Sequence, residues 1–368
     1  MPDAERLRLL NAQLAYAAAR SSYYRETLGN AAPLSSLAEL ARLPFLTPDI
    51  LRAQGNRLVC VPASAVARIV SLQTSGSTGE AKRLSFTRGD LERTVAYFAE
   101  GMGWLAAPGD AVAVLMPCAA PDGIGDLLCR GLVRAGMIPL PIGVRPDLYA
   151  LGRELLKAQP AALVGFPWQL RALALLCPEL RPRTLVLSAD YIPAPLQDML
   201  RGVWHCAPIA HFGMTETGYG CAEEHPCEIG HMYLRRDELI AEIVAPQGVE
   251  VLPAGTPGEL VLTTLRREAT PLIRYRTGDL AVMDAEGRLV RVFGRIGTPA
   301  SFYALQDRLC SIPWLYDYEV SGGLLRALIS ADAPPDCTET LAAAAGIPAA
   351  TSRIPPEEVT LLRQGKRL

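Results

Sequence analysis

Leu72-Gln73-Thr74-Ser75-Gly76-Ser77-Thr78-Gly79-Glu80-Ala81-Lys82 directly follows a strand-like run at 67–72, and by composition it is a phosphate loop. Glycines let the backbone approach a pyrophosphate closely. Successive amides across Thr74, Ser75, Gly76, Ser77, Thr78 and Gly79 can form an anion-binding concavity, the hydroxyls donate further bonds, and Lys82 supplies a point charge. The loop is not that of the P-loop NTPases, because Glu80 and Ala81 separate Gly79 from Lys82 where that motif has Gly-Lys adjacent. A Ser/Gly-rich surface turn has the same chemistry, so the surrounding pattern has to decide.

Downstream of the loop, strand-like runs at 111–116, 161–165, 184–188 and 208–212 alternate with helix-like runs at 90–102, 126–135, 148–158, 169–176 and 195–200. Alternation of this kind predicts a layered α/β sheet. Upstream, Leu7, Leu9, Leu10, Leu14 and 17–19 predict one amphipathic helix over 5–20. A short helix is expected over 34–43, and Thr47-Pro48-Asp49 reads as an N-cap with Pro at the first helical position. Between 239 and 293 the texture changes to strands joined by tight turns, among them Asp284-Ala285-Glu286-Gly287 inside a hairpin. The expectation is a large α/β domain with a β-rich subdomain over 1–296, a hinge near Gly297, and a small α+β lid over 297–368.

Three further segments follow the loop in a fixed order: His211-Phe212-Gly213-Met214-Thr215-Glu216, Tyr275-Arg276-Thr277-Gly278-Asp279-Leu280 and Gly294-Arg295. Together with Thr74–Lys82 they resemble the signatures of the adenylate-forming superfamily of acyl-CoA synthetases and adenylation domains. Tyr23-Tyr24-Arg25, Leu43-Pro44-Phe45-Leu46-Thr47 and Pro271-Leu272-Ile273-Arg274-Tyr275-Arg276 look closest to the phenylacetate-CoA ligase branch. The resemblance covers residues 1 to about 296. It implies ATP-dependent adenylation of an aryl or similar small carboxylic acid, with release of pyrophosphate, and then thioester formation with coenzyme A or another acceptor.

The residue chemistry agrees with that resemblance. Glu216, beside the Thr215 hydroxyl, is a hard oxygen ligand suited to a Mg²⁺ that bridges phosphates; a lone loop Glu is otherwise merely solvated. Phe212, with Gly213 and Met214, offers a flat face for adenine, and would equally serve as a core aromatic. Asp279 can accept from ribose hydroxyls or cap a turn, and Arg295 can pair with phosphate or ribose oxygens. Ser188-Ala189-Asp190-Tyr191 stands where relatives carry a Gly-Gly-Glu-like adenine loop, which assigns Ala189 and Asp190 to the purine edge. Phe166, Trp168 and His211 are candidates for acyl-pocket walls, with core packing as the other use. Gln364-Gly365-Lys366-Arg367 resembles the family's lid ending, so Lys366 is the candidate lid lysine. The hinge departs from the family pattern, since Ile296-Gly297-Thr298-Pro299 stands where an Asp usually follows Gly-Arg, and the lid is short.

All four histidines lie between 205 and 231. Within that span, Cys221, His225, Cys227 and His231 could supply a tetrahedral Zn²⁺ set, or simply pack and cap. Composition narrows the rest. With 36 Lys+Arg against 38 Asp+Glu and a net charge of -2, nucleic acid and anionic membranes are not expected partners. Apolar stretches such as 111–121 are too short and Pro-interrupted to span a bilayer. The acidic start shows no targeting segment, and nine cysteines in a long chain fit reduced thiols and a cytoplasmic setting. A homodimer is an allowed assembly. The alternative function is an ATP/AMP-binding protein of the same fold without turnover, acting as sensor or pathway partner. A P-loop phosphotransferase is disfavoured by the loop spacing.

Overall fold

The computed structural model describes residues 1–29, 32–72 and 81–362. They form two compact units, one of Met1–Tyr97, Gly213–Glu223 and Gly230–Ile296, the other of Phe98–Phe212, Glu224–Ile229 and Gly297–Leu368.

In the second unit, Ala162–Gly165 and Thr184–Leu187 are buried at every position, as strands covered on both faces must be. Five strands pair in parallel in the order Ile138–Pro141, Ala111–Val114, Ala162–Gly165, Thr184–Leu187, Ala207–Phe212. The crossover helices Ile124–Arg134, Leu148–Ala158, Pro167–Leu176 and Leu196–Trp204 are the predicted α/β alternation. The Leu148–Ala158 helix starts where the Asp147 carboxylate accepts from Ala150 N at 2.9 Å and stops at Gln159 in the left-handed region. The strand Ile138–Pro141 escapes the sequence pattern because its two prolines and exposed ends suit only an edge.

The same unit contains the C-terminal segment. The strands Leu315–Ser321, Leu324–Ser330 and Ala349–Ile354 form a three-stranded sheet, flanked by the helices Ala300–Cys310 and Cys337–Ala345. One compact unit thus groups 98–212 with the residues after Gly297. One apolar core joins Leu163, Trp168, Leu173 and Leu187 to Leu309, Leu315, Tyr318 and Leu341. Burying that shared surface, at roughly 25 cal/mol per Å² of apolar area, ties 297–362 to the parallel sheet's helical layer.

The first unit carries an antiparallel sheet, Leu239–Val244, Gly258–Thr264, Tyr275–Met283 and Leu289–Arg295, with Leu289 opposite Met232. The Asp284–Gly287 hairpin turn is as predicted. Arg68–Leu72 and Lys82–Phe86 pair antiparallel, Leu72 opposite Lys82, so the ends of the phosphate-loop sequence are brought side by side. The N-terminal helix Asp3–Arg20 packs through Leu9 and Leu10 against Leu40, Ile240 and Leu265. Its Gln13 Nε2 donates to Arg267 O at 3.0 Å and Tyr16 OH to Glu268 O at 3.0 Å. The expected helix at 34–43 is a 3-10 turn, Leu37–Arg42, and Thr47 caps Pro48–Leu58 as predicted. Among the described residues no helix is long and apolar enough to cross a membrane.

Candidate nucleotide site

Three signature segments converge in the first unit. Lys82 opens the strand Lys82–Phe86, Glu216 lies in the 3-10 turn Thr215–Thr217, and Tyr275 opens Tyr275–Met283. Lys82 Nζ pairs with Glu216 Oε1, and Tyr275 OH donates to the same oxygen at 3.2 Å. Lys82 Nζ also lies 3.5 Å from the Tyr275 hydroxyl. The side chains of Lys82 and Glu216 are only 8% and 7% exposed, so the pair sits where charge interactions are much stronger than in water. Burial, and then the Glu216 carboxylate, push the Tyr275 phenol well above its ordinary pKa; it stays protonated and acts as a donor. Mg²⁺ commonly binds through one or two carboxylates together with substrate phosphates, and Glu216 is a buried single carboxylate of that kind.

The turn bearing Glu216 is held from below. Arg267 Nη2 donates to Thr217 O at 2.5 Å and Thr94 Oγ1 to Gly218 O at 3.0 Å. Burial alone would raise the pKa of Asp90, but the Arg267 charge and the N–H groups of Glu268, Thr87 and Ala269 hold it below the usual range. Asp90 is thus a fixed anion beneath Arg267. A side chain at Gly220 would stand 2.1 Å from the Tyr97 ring, so the chain can pass there only as glycine.

Tyr275 is fixed by the three segments that resemble the phenylacetate-CoA ligase branch. Tyr24 OH donates to Pro271 O at 2.8 Å and accepts from Ile273 N at 3.3 Å. Arg274, 1% exposed, grips Glu242 with two bonds of 3.0 Å, donates to Ala41 O and Leu43 O, and lies 4.0 Å from the Phe45 ring centre. Leu46 bridges Tyr275 itself. Arg276 is spent on Glu259 and the carbonyls of Ala245, Pro246 and Gly248; it is scaffold. Asp279 and Arg295 are cross-strand partners, with Arg295 Nη1 3.7 Å from Asp279 Oδ1 and Nη2 donating to Thr277 O at 2.9 Å. Tyr275, Thr277 and Asp279 alternate on one buried face, so the period-two rule applied backwards from Asp279 would have found Tyr275. Arg267 left no such signal, because its partner Thr217 lies far away in sequence; Asp90 is marked by the Thr87-x-x-Asp90 spacing of a capping box.

In the second unit Phe212 is half-buried at the end of Ala207–Phe212; Gly213 and Met214, in the first, lead into the turn that carries Thr215. In the second unit also lies the Ser188–Tyr191 stretch. Ala189 has φ +71°, the left-handed region that favours glycine, and Asp190 Oδ1 accepts from Tyr191 N at 2.8 Å. Ser188 Oγ and His211 Nδ1 share a 2.8 Å hydrogen bond, and burial pushes His211 down to about 4. Trp168 is not free to line an acyl pocket: it is 4% exposed, its Nε1 donates to Gln306 Oε1 at 3.0 Å, and it meets Tyr318 edge-on at 4.9 Å. Phe166 is likewise buried.

The zinc set is not assembled. Cys221 is buried against the Thr217 hydroxyl at 2.9 Å and burial raises its thiol to about 12. His225 Nδ1 accepts from Cys227 N and its ring packs on Trp104. His231 Nδ1 lies 3.6 Å from Asp284. Among the described residues no group of three or more His, Cys, Asp or Glu is placed to hold a metal ion. Thr74, Ser75, Gly76, Ser77, Thr78, Gly79 and Lys366 lie outside the described residues.

With this geometry in place, comparison with known proteins gives one decisive match. The model of the AMP-binding enzyme family fits residues 43–264. The chain belongs to that family. It is 29% identical over 297 residues to a phenylacetate-coenzyme A ligase of Thermus thermophilus, covering 77% of this chain and 65% of the relative. The corresponding ligase of Aromatoleum evansii is 26% identical, covering 67% of this chain and 58% of its own. The chain thus spans less than two thirds of the length of these curated relatives. In fold it is similar to a 2-hydroxyisobutyryl-CoA ligase solved in the postadenylation state, TM-score 0.77 at 20% identity, covering 97% of this chain and 87% of that one.

Proposed function

We propose that this chain is an AMP-forming acid ligase acting on an aryl or similarly small carboxylic acid. A carboxylate oxygen attacks the α-phosphorus of ATP, the bond to the bridging oxygen of the pyrophosphate group breaks, and acyl-AMP and pyrophosphate result. A thioester step with coenzyme A would follow, the sulfur displacing AMP from the acyl carbon as the thiol proton passes to water. The observation that carries this reading is the buried cluster of Lys82, Glu216 and Tyr275, drawn from three separate family signatures.

Positioning and charge neutralisation carry most of such a reaction. Lys82 would pair with phosphate oxygens as the nucleotide charge shifts, Thr215 would donate its hydroxyl, and Asp279 would accept from the ribose hydroxyls with Arg295 beside it. Mg²⁺, held through Glu216, would supply further neutralisation of the phosphates. Tyr275 keeps Glu216 oriented whichever cation it faces. Phe212 and the Ala189–Asp190 turn are assigned to the base, and Lys366 to the forming acyl-adenylate.

ATP–pyrophosphate exchange across a panel of aryl and short acyl carboxylates tests this directly. Exchange that depends on one acid class supports the ligase and names its substrate. Tight ATP binding with no exchange for any acid would favour the second reading, a nucleotide-binding protein without turnover. That reading draws on the C-terminal segment, which shares its core with the parallel-sheet layer.

A further inference from the structure

The helix Ala300–Cys310 is joined to the Phe98–Phe212 part of its unit by polar contacts buried on both sides. Gln306 is fully buried and accepts from Trp168. Arg171, also fully buried, donates Nε to Cys310 O at 3.0 Å, Nη1 to Leu315 O at 2.5 Å and Nη2 to Ile312 O at 2.5 Å. A buried guanidinium satisfied by three carbonyls of one segment holds that segment in a single register, because moving it would strand a charge out of water.

Between these two anchors sits Asp307. Its Oδ1 accepts from Tyr191 OH at 3.0 Å and from Ala194 N at 2.9 Å, and its Oδ2 lies 3.2 Å from the same hydroxyl. One turn earlier on the helix, Tyr303 packs on Tyr191 with ring centres 4.9 Å apart. The loop so gripped runs from Ser188 to Ala194, has no regular secondary structure, and holds Ala189 in an unfavourable left-handed conformation. A strained, irregular loop keeps one shape only if its surroundings impose it.

We propose that Asp307 is a positioning residue that, from the C-terminal segment, fixes the shape of the Ser188–Ala194 loop on the purine side. The proposal rests on the assignment of Ser188–Tyr191 to the base of the nucleotide. Its chemistry is plain: a carboxylate accepting a phenol and a backbone N–H makes charge-assisted bonds, roughly twice as strong as neutral ones.

Calorimetric titration of the full chain with AMP and with ATP tests it without needing the acid. Asp307→Ala is expected to weaken AMP binding about tenfold or more, while Asp307→Asn, which keeps an acceptor, recovers most of that loss. Tyr191→Phe, which leaves the Ala194 bond in place, is expected to fall between them. In turnover with any acid that proves to be a substrate, KM for ATP should rise with kcat at saturating ATP little changed. Asp307→Ala binding AMP within about twofold of wild type would overturn the proposal. If that variant does not fold, Tyr191→Phe binding at wild-type strength would overturn it instead. Wild-type chain that binds neither AMP nor ATP would refute the loop assignment and the proposal with it. The expected affinity pattern without acid-dependent exchange would leave the proposal standing and remove the ligase reading.

Discussion

Glu216 accepts two donors on one oxygen inside a nearly dry cluster, so its charge and its position are separable by mutation. Glu216→Gln keeps the shape but leaves Lys82 a buried cation without its counter-charge. Pyrophosphate exchange should fall at least about a hundredfold, and stability by about 1–3 kcal/mol; exchange at the wild-type rate would remove Glu216 from the mechanism. Tyr275→Phe removes only the hydroxyl, and about a tenfold loss of exchange is expected with a melting temperature close to wild type. His211 sets a pH limit. Its folded pKa of about 4 lies below the ordinary 6.5 because it is buried, so the unfolded chain binds the extra proton first. Its contribution is fully present above pH 6.5 and is lost as pH falls from 6.5 towards 4, up to about 3 kcal/mol. Urea midpoints measured between pH 7.5 and 4.5 should drop for wild type and flatten on that limb for His211→Gln. At this scale the sequence showed Lys82, Glu216, Asp279 and Arg295 through local signatures. It was silent on Arg171 and Arg267, whose partners are backbone carbonyls that any residue could supply.

Loops and helices were legible where a period or a cap marked them. The Leu148–Ala158 helix has the predicted bounds, and Thr47 caps its helix by accepting from Ile50 N. The helix Ala300–Cys310 went unread because its buried face mixes Leu305 and Leu309 with Gln306, and a buried glutamine breaks an apolar stripe. Two loop substitutions follow from geometry. Gly220→Ala places a methyl against the Tyr97 ring and should destabilise by about 1–3 kcal/mol, with a loss of exchange because the Glu216 turn must shift. Ala189→Gly relieves a left-handed alanine and should stabilise by about 1 kcal/mol. A thermal melt compares both with wild type; a lower melting temperature for Ala189→Gly would contradict the strain argument.

At the scale of the molecule, the sequence suggested a division at Gly297, and the second compact unit groups the residues after it with 98–212. What sequence could not show is that the chain after it completes the core of 98–212, since the pairing of Trp168 with Gln306 and of Arg171 with Leu315 spans well over a hundred residues. A chain ending at 296 would expose Trp168, Leu173 and the Arg171 guanidinium together. It is expected to be recovered as aggregate, or to bind a dye for exposed apolar surface, whereas a detachable lid would leave a soluble remainder.

The long reach of Arg171 also has a consequence in time. Its carbonyl partner at Leu315 is 144 residues downstream, and at ribosomal speeds of about 5–20 residues per second it is synthesised roughly 7–30 s later. Throughout that interval the emerging chain carries an unfinished apolar layer and an unpaired Arg171 guanidinium, so a nascent polypeptide of this kind depends on being shielded until residues 300–341 arrive.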